Sequence, residues 1–197
     1  MIGLRIILTN KCSRSCSFCY QSNFTDTISN ESLIHNLNKL KYNKYEYITV
    51  MGGEIFELDN VMWYINKIKQ FFPRTKKSII TRGDLEFYDN IMRAKRKGFK
   101  ITTSNVIRDF SDRVNIYYDG KNLNVPDTDI PVTLCGDLRG ASVEAPIGFD
   151  CVSDGHYTNG NIHFFNHEND YGNDEDIILP NGKITNSFKD VLNYGKN

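Results

Sequence analysis

No apolar run in this chain approaches the roughly 20 residues that a helix needs to cross a bilayer. The first residues do not make a secretory leader either, because Arg5 and Asn10 interrupt a short apolar stretch with no cleavage site after it. Cysteine is scarce and oddly placed: there are five, an odd number, and three crowd into one short loop. That excludes a secreted disulfide framework and leads us to expect a reducing cytoplasm. Net charge is absent too, with 24 basic residues against 24 acidic ones.

The balance hides an asymmetry. Between Asn66 and Lys100 eleven basic residues face only Asp84, Glu86 and Asp89, while between Asp127 and Asp176 eleven acidic residues face Arg139 alone. Two solvated faces of opposite sign explain this; a basic half that holds an acidic or phosphate-bearing partner is the alternative. Aromatics that could stack bases are not interleaved there, so nucleic acid is the minor expectation. At 197 residues, 40% hydrophobic and 24% charged, the chain has the makings of one globular domain with room for a small appendage.

What the sequence does contain is concentrated in Lys11-Cys12-Ser13-Arg14-Ser15-Cys16-Ser17-Phe18-Cys19-Tyr20. Three cysteines stand at C-x3-C-x2-C in a polar loop after the strand-like run Leu4–Leu8. Thiolates this close repel one another unless a cation or an oxidised iron cluster takes up the charge. A structural metal site closes with four protein ligands, and a reactive one keeps a position open. Three cysteines leave one iron of a four-iron cluster without a protein ligand. A zinc knuckle with a distant fourth ligand, or three incidental thiols, are the other ways to use such a loop.

A second motif, Met51-Gly52-Gly53-Glu54, ends another strand-like run, Tyr45–Val50. Paired glycines let a backbone turn sharply and approach a ligand closely. By itself such a motif is more often a turn before a helix. Cysteine loop and Gly-Gly-Glu together resemble the radical S-adenosylmethionine (radical SAM) family. Its signature is C-x3-C-x-aromatic-C, with Phe18 as the aromatic here and Tyr20 following.

The resemblance implies a [4Fe-4S] cluster on Cys12, Cys16 and Cys19, with SAM bound through its amino and carboxylate groups at the open iron. It implies SAM contacts around Phe18 and Tyr20, and Gly52, Gly53 and Glu54 at the SAM amino group. Residues ending the third and fourth strands would reach the SAM carboxylate and ribose. Arg82 suits a carboxylate, and Ser104 and Asn105 suit hydroxyls. The implied chemistry is reductive cleavage of SAM to methionine and a 5′-deoxyadenosyl radical, which takes hydrogen from an unactivated C–H bond. An electron donor such as flavodoxin or ferredoxin goes with it.

The element order agrees. A helix from about Glu31 to Leu40, capped by Ser29 or Asn30, puts Leu33, Leu37 and Leu40 on one face. A second helix opens at Asp59 and stops at Pro73. Ser78–Thr81 is a third strand, and a third helix opens at Asp84 and ends at Gly98. Phe99–Ser104 is a fourth strand. Strands alternating with amphipathic helices make an α/β fold with a parallel sheet, and Cys12–Tyr20, Gly52–Glu54, Thr81–Gly83 and Thr103–Asn105 all fall at the strand ends where such sheets bind ligands. An open doubly wound sheet or a partial barrel fits the pattern; the resemblance selects a partial (β/α) barrel.

After Asn105 the repeat stops. Val114–Tyr118 is a strand, Asp119–Asn122 a turn into Leu123–Val125, and Pro131–Leu134 another strand. No amphipathic helix follows until Ser187–Leu192. We therefore expect a radical SAM core over 1–125 and a short hairpin- and loop-rich C-terminal extension over 126–197 that completes or covers the active site. The extension faintly resembles the cysteine-rich appendage of peptide-modifying family members, but only Cys135 and Cys151 are present, too few for a further four-cysteine cluster. His163 and His167, with Glu168 and Asp170 nearby, could take a metal but more simply sit in a polar tail; His35 belongs to a helix surface. Gly-Gly-Glu-Ile-Phe and the tail lead us to expect a peptide or protein side chain as substrate, with a nucleoside or small metabolite as the alternative. The rival of another class is a zinc-stabilised nucleic-acid-binding module.

Overall fold

The structure, a computed structural model, describes residues 3–14, 16, 19, 25–118, 120, 121, 123–135, 144–153, 156–165, 175–187, 190, 191 and 194. The first half alternates strand and helix in the expected order. Strand β1 is Gly3–Ile7, helix α1 Asn30–Leu40, strand β2 Tyr47–Met51, helix α2 Val61–Phe71, strand β3 Lys76–Thr81, helix α3 Tyr88–Arg96 and strand β4 Phe99–Thr103. Ser29 caps α1 through its side chain, which accepts from the Ser32 N–H. Helix α3 is capped at Lys97 and followed by Gly98, whose φ of +90° is open to glycine and costly for other residues.

Two helices start later than the sequence suggests. The Ile55–Glu57 stretch winds as a 3-10 turn, and α2 begins only at Val61. Leu85–Phe87 is a second 3-10 turn ahead of α3, and the Asp84 side chain makes no capping bond to it. That carboxylate is drawn instead to Arg14 and Arg82.

The second half adds strands β5 Arg113–Tyr117, β6 Val132–Cys135, β7 Asp150–Ser153, β8 His156–Asn159, β9 Ile162–Phe165, β10 Glu175–Ile178 and β11 Ile184–Thr185. Leu123–Val125 does not pair as the return arm of a hairpin. Strands β5 and β6 are parallel neighbours, so residues between them form a crossover, which a hairpin turn cannot supply.

All the described strands join one sheet in the order β11-β10-β1-β2-β3-β4-β5-β6-β9-β8-β7. From β1 to β6 each strand is added parallel on the same side of the last. A doubly wound sheet would reverse its order partway; this one does not. Its outer strands β11 and β7 are not paired with each other, so the sheet is open. Antiparallel pairs occur only toward the two edges, β10 with β11 on one side and β9-β8-β7 on the other.

Alternation along the strands separates two faces. The face covered by the helices is apolar: Leu4, Ile6, Ile48, Val50, Ile79 and Ile101 are wholly buried against α1, α2 and α3. Each such side chain contributes about 1.5–3 kcal/mol over its exposed state. The opposite face carries Arg5, Thr49 and Ser78 in one row, which continues to Lys100, and Thr102, Asn115 and Thr133 further along the same face. At its β1 side it is covered by Ile177, Leu179 and Val191, which pack on Ile7.

Strand β10 lies parallel to β1, with Gly3 opposite Glu175 and Ile6 opposite Ile178. Polar bonds pin that register: Arg5 pairs with Glu175 at 2.8 Å, the Tyr47 hydroxyl donates to Glu175 at 2.7 Å, and the Tyr45 hydroxyl donates to Asp176. Burial and the Asp176 carboxylate push the Tyr45 phenol well above its usual range. Asn36 of α1 ties the tail in by donating to the Gly182 carbonyl at 2.8 Å. Among the described residues no helix is long and apolar enough to cross a membrane.

Candidate functional site

The site is built at the carboxyl ends of β1, β2, β3 and β4. Beyond Ile7 the chain runs on as Leu8–Lys11, and its backbone is stapled on both sides. Leu8 donates to the Met51 carbonyl at 2.9 Å, while Ile28 donates back to Leu8 and Asn10 to Asp26, both at 2.8 Å. Thr9 and Thr27 share a hydroxyl bond of 2.8 Å, and Thr9 also donates to the Asp26 carbonyl at 3.1 Å. The two feet of the cysteine loop are therefore fixed side by side.

Gly52 and Gly53 lock onto this foot. The Gly53 N–H donates to Thr9 at 2.7 Å and the Glu54 N–H to Lys11 at 3.0 Å. A Cβ on Gly53 would stand 2.1 Å from the Lys11 carbonyl oxygen, and one on Gly52 would stand 2.5 Å from that of Thr9. Neither position tolerates a side chain, because the neighbour in each case is backbone.

Glu54 is fully buried. Its carboxylate accepts from the Phe56 N–H at 3.1 Å, the Thr81 hydroxyl at 2.8 Å and the Arg82 N–H at 2.8 Å, so it joins the end of β2 to the end of β3. Burial raises its pKa, and the bonds from Arg82, Phe56 and Thr81 and the Arg82 charge only partly oppose that.

Arg82 stands beside it at the end of β3. One terminal nitrogen donates to the Cys12 sulfur at 3.4 Å and to the Ser13 hydroxyl at 3.1 Å. The other faces Glu57 at 3.0 Å and Asp84 at 2.5 Å. Nε lies 3.6 Å from Glu54 and makes no hydrogen bond. Burial pulls the guanidinium pKa down, but Asp84, Glu54, Cys12 and Glu57 outweigh it and the net shift is upward.

Glu57 grips the loop directly, accepting from the Ser13 N–H at 3.0 Å and the Ser13 hydroxyl at 2.6 Å. Burial works against its charge, while the Ser13 bonds and Arg82 hold its carboxyl below the usual range. Asp84 reaches the loop through Arg14 at 2.9 Å. Glu57 and Asp84 escaped the sequence reading. Glu57 follows Glu54 by one 3-10 turn, and Asp84 stands where a helix cap is expected, so neither spacing marks a ligand clamp.

Cys12 and Cys19 are half-buried and Cys16 is exposed; the Cys19 N–H donates to the Cys16 carbonyl at 3.0 Å. None is tied up in a disulfide. Among the described residues no three His, Cys, Asp or Glu side chains stand close enough to hold a metal ion. The loop thus gathers three thiols without bringing the sulfurs to one point. In kind the set fits an iron–sulfur cluster: three soft ligands on one fixed-foot loop, with a cation against the first of them. Phe18 and Tyr20 lie outside the described residues.

Ser104 is exposed at the end of β4 and donates to the Arg82 carbonyl at 3.1 Å. Asn105 is its exposed neighbour. The remaining candidates lie elsewhere. Cys135 ends β6 and Cys151 lies on β7, with β9 and β8 between them. The register sets Cys151 in the row of Tyr157, Phe164 and Leu134, while Cys135 follows Leu134 and so points to the other face. His163 on β9 and His156 on β8 stack with ring centroids 5.4 Å apart and share a 3.2 Å bond. His35 is exposed on α1; His167, Glu168 and Asp170 are outside the described residues.

No protein-family model matches this chain, and no curated protein does. Solved structures do. SuiB from Streptococcus suis bound to S-adenosylmethionine matches with a TM-score of 0.60 at 12% identity, over 100% of this chain and 61% of SuiB. BtrN in complex with AdoMet and 2-DOIA matches with a TM-score of 0.54 at 12% identity, over 97% of this chain and 74% of BtrN. SuiB bound to the precursor peptide SuiA matches with a TM-score of 0.50 at 12% identity, over 71% of this chain and 40% of that one. At such identities the likeness is one of fold.

Proposed function

We propose that this chain is a radical SAM enzyme with a partial (β/α) barrel core over 1–125 and an extension over 126–197. One observation carries the proposal: a C-x3-C-x2-C loop is rooted at the end of β1, locked by backbone onto Gly52-Gly53 and faced by Arg82. The shared fold with structures that hold S-adenosylmethionine supports it.

Cys12, Cys16 and Cys19 would hold the [4Fe-4S] cluster, leaving one iron for SAM. When bound, cluster and SAM supply a one-electron cleavage whose 5′-deoxyadenosyl radical removes a hydrogen atom from a substrate C–H bond. Gly52 and Gly53 let their backbone close onto Thr9 and Lys11 and so fix the foot of the loop. Glu54 sets the ends of β2 and β3 at a constant distance and is assigned, with these glycines, to the SAM amino group. Phe18 and Tyr20 are assigned to SAM from within the loop, and Ser104 to its ribose. Both terminal nitrogens of Arg82 already have two partners each. A SAM carboxylate reaches Arg82 only by displacing one of them.

The proposed substrate is a peptide or protein side chain, supported by the likeness to a structure that holds a precursor peptide. A second reading, a small polar metabolite or nucleoside, is favoured by the hydroxyl- and amide-bearing face of the sheet, which Thr49, Ser78, Thr102, Asn115 and Thr133 share. The electron donor would be a flavodoxin or ferredoxin.

Anaerobic reconstitution tests the class. About four irons and four sulfides per chain, together with 5′-deoxyadenosine formed from SAM on reduction, are expected. Stoichiometric zinc without sulfide overturns the proposal in favour of a zinc-stabilised module.

A further inference from the structure

The geometry points to Arg82 as the residue that sets the reduction potential of the proposed cluster, by donating to the Cys12 sulfur and standing between that sulfur and three carboxylates. This rests on the proposed cluster but goes beyond it, since nothing in a three-cysteine loop requires a cation at its first ligand.

Arg82 is built in rather than draped over the loop. Its side chain is only 12% exposed. Its own N–H is held by Glu54 at 2.8 Å and its carbonyl by Ser104 at 3.1 Å, so the backbone that carries the side chain is fixed. The head is gripped by Glu57 and Asp84, with Glu54 at 3.6 Å. A planar fork held at two corners by carboxylates presents its remaining corner in one direction, and that corner meets Cys12 at 3.4 Å.

The charges decide the sign. Three carboxylates surround one guanidinium, and Arg14 shares only Asp84. With Arg82 in place the charge nearest Cys12 is positive. Without it, the Glu57 carboxylate, which accepts from Ser13 beside Cys12, loses the cation it faces. Reduction adds an electron, so a neighbouring cation and a hydrogen bond to a ligand sulfur favour the reduced cluster, and bare carboxylates oppose it. The guanidinium stays charged at any working pH.

The test is an EPR-monitored redox titration of the reconstituted cluster in wild-type, Arg82→Gln and Asp84→Asn protein, with iron counted in each. We expect Arg82→Gln to keep its iron and to lower the reduction equilibrium about tenfold, which is about 59 mV for one electron. Asp84→Asn removes one negative charge and should shift the potential the opposite way. Opposite shifts separate tuning from mere loosening, which would move both variants alike. If Arg82→Gln takes up no iron, Asp84→Asn and Arg82→Lys carry the test: the potential of the first must rise above wild type, and that of the second, which keeps the charge but loses the fork that reaches Cys12, must fall by less than about tenfold in the reduction equilibrium. Unchanged potentials in iron-loaded variants overturn the inference and leave the cluster proposal intact. A wild type that assembles no cluster overturns both.

Discussion

Residues 3–104 and residues 105–194 share one sheet but build it differently. In the first half β1, β2 and β3 are each followed by a helix, and every strand end carries a residue of the candidate site. In the second half strands follow one another with no α-helix between β5 and β10 among the described residues. The half with helices buries one face of each strand and so fixes where strand ends point. The half without them has spent its residues on edges, extending the sheet past β6 and past β1. Precision at the site therefore depends on the first half, and integrity of the sheet on both.

The sharpest contrast is between cysteines. Replacing Cys12, Cys16 or Cys19 with alanine should abolish the catalytic form of the cluster, since three protein ligands leave none spare. The measurement is reductive SAM cleavage, and a single variant that cleaves at the wild-type rate would break the assignment.

Glycines give the next largest contrast. Gly53→Ala puts a methyl group into the Lys11 carbonyl, which should cost about 3 kcal/mol or more in denaturant unfolding and eliminate iron uptake. Gly160→Ala, in the second half, meets nothing within 4 Å and pays only for a φ of +60°. That is about 1–2 kcal/mol, with iron uptake unchanged. Equal effects would erase the distinction between the halves.

Ile178→Ala strikes the second half where it supports the first. Ile178 is wholly buried on β10 and packs in the helix-side core. A loss of about 2–5 kcal/mol is expected, read as one cooperative transition covering both halves. Two separable transitions would mean that the halves fold apart.

A smaller effect concerns pH. Burial, then Arg113, then His156 lower the His163 pKa from 6.5. The unfolded chain then binds a proton that the folded chain refuses, so the stabilisation is present above pH 6.5 and is lost as pH falls through the folded-state value. The melting temperature should drop on acidification below that point, and His163→Gln should flatten the curve. A wild-type curve already flat there would remove the histidine pair from consideration. The smallest effect is none: a Cys135→Ala, Cys151→Ala double variant should keep about four irons and cleave SAM. About twice that iron in wild type, falling to the lower figure in the double variant, would reveal a second cluster.

Much of the first half was legible because its periods are clean. Leu33, Leu37 and Leu40 fall on one helical face, Ser29 offers a cap, and apolar residues alternate along β1 and β2. The boundaries moved where tertiary bonds outcompeted local preference, as when Asp84 left its capping role for Arg14 and Arg82. Gly-Gly-Glu was legible as a motif, whereas its bonding was not. Pattern alone cannot tell that Gly53 meets backbone at Lys11 or that all of Glu54 is submerged. Strand β10 went unread because Glu175-Asp176-Ile177-Ile178 is half charged, and its acids find partners distant in sequence, in Arg5, Asn43, Tyr45 and Tyr47. Leu123–Val125 looked like a hairpin arm because a local turn signal carries no information on whether the next strand runs parallel.

Strand β10 also has a consequence for how the molecule is made. Its partner β1 is synthesised well before it, and one flank of that strand must wait for the chain around Glu175 before it is covered. Until then Gly3–Ile7 offers an apolar, hydrogen-bond-hungry edge to any other nascent chain. So long a delay between partners favours slow assembly. The cysteine loop, attached to that same strand, is then set in its final place only after translation has delivered β10. Expression hosts that slow synthesis or supply holding chaperones should raise the yield of chain competent to load iron, and they should do so without changing the finished protein.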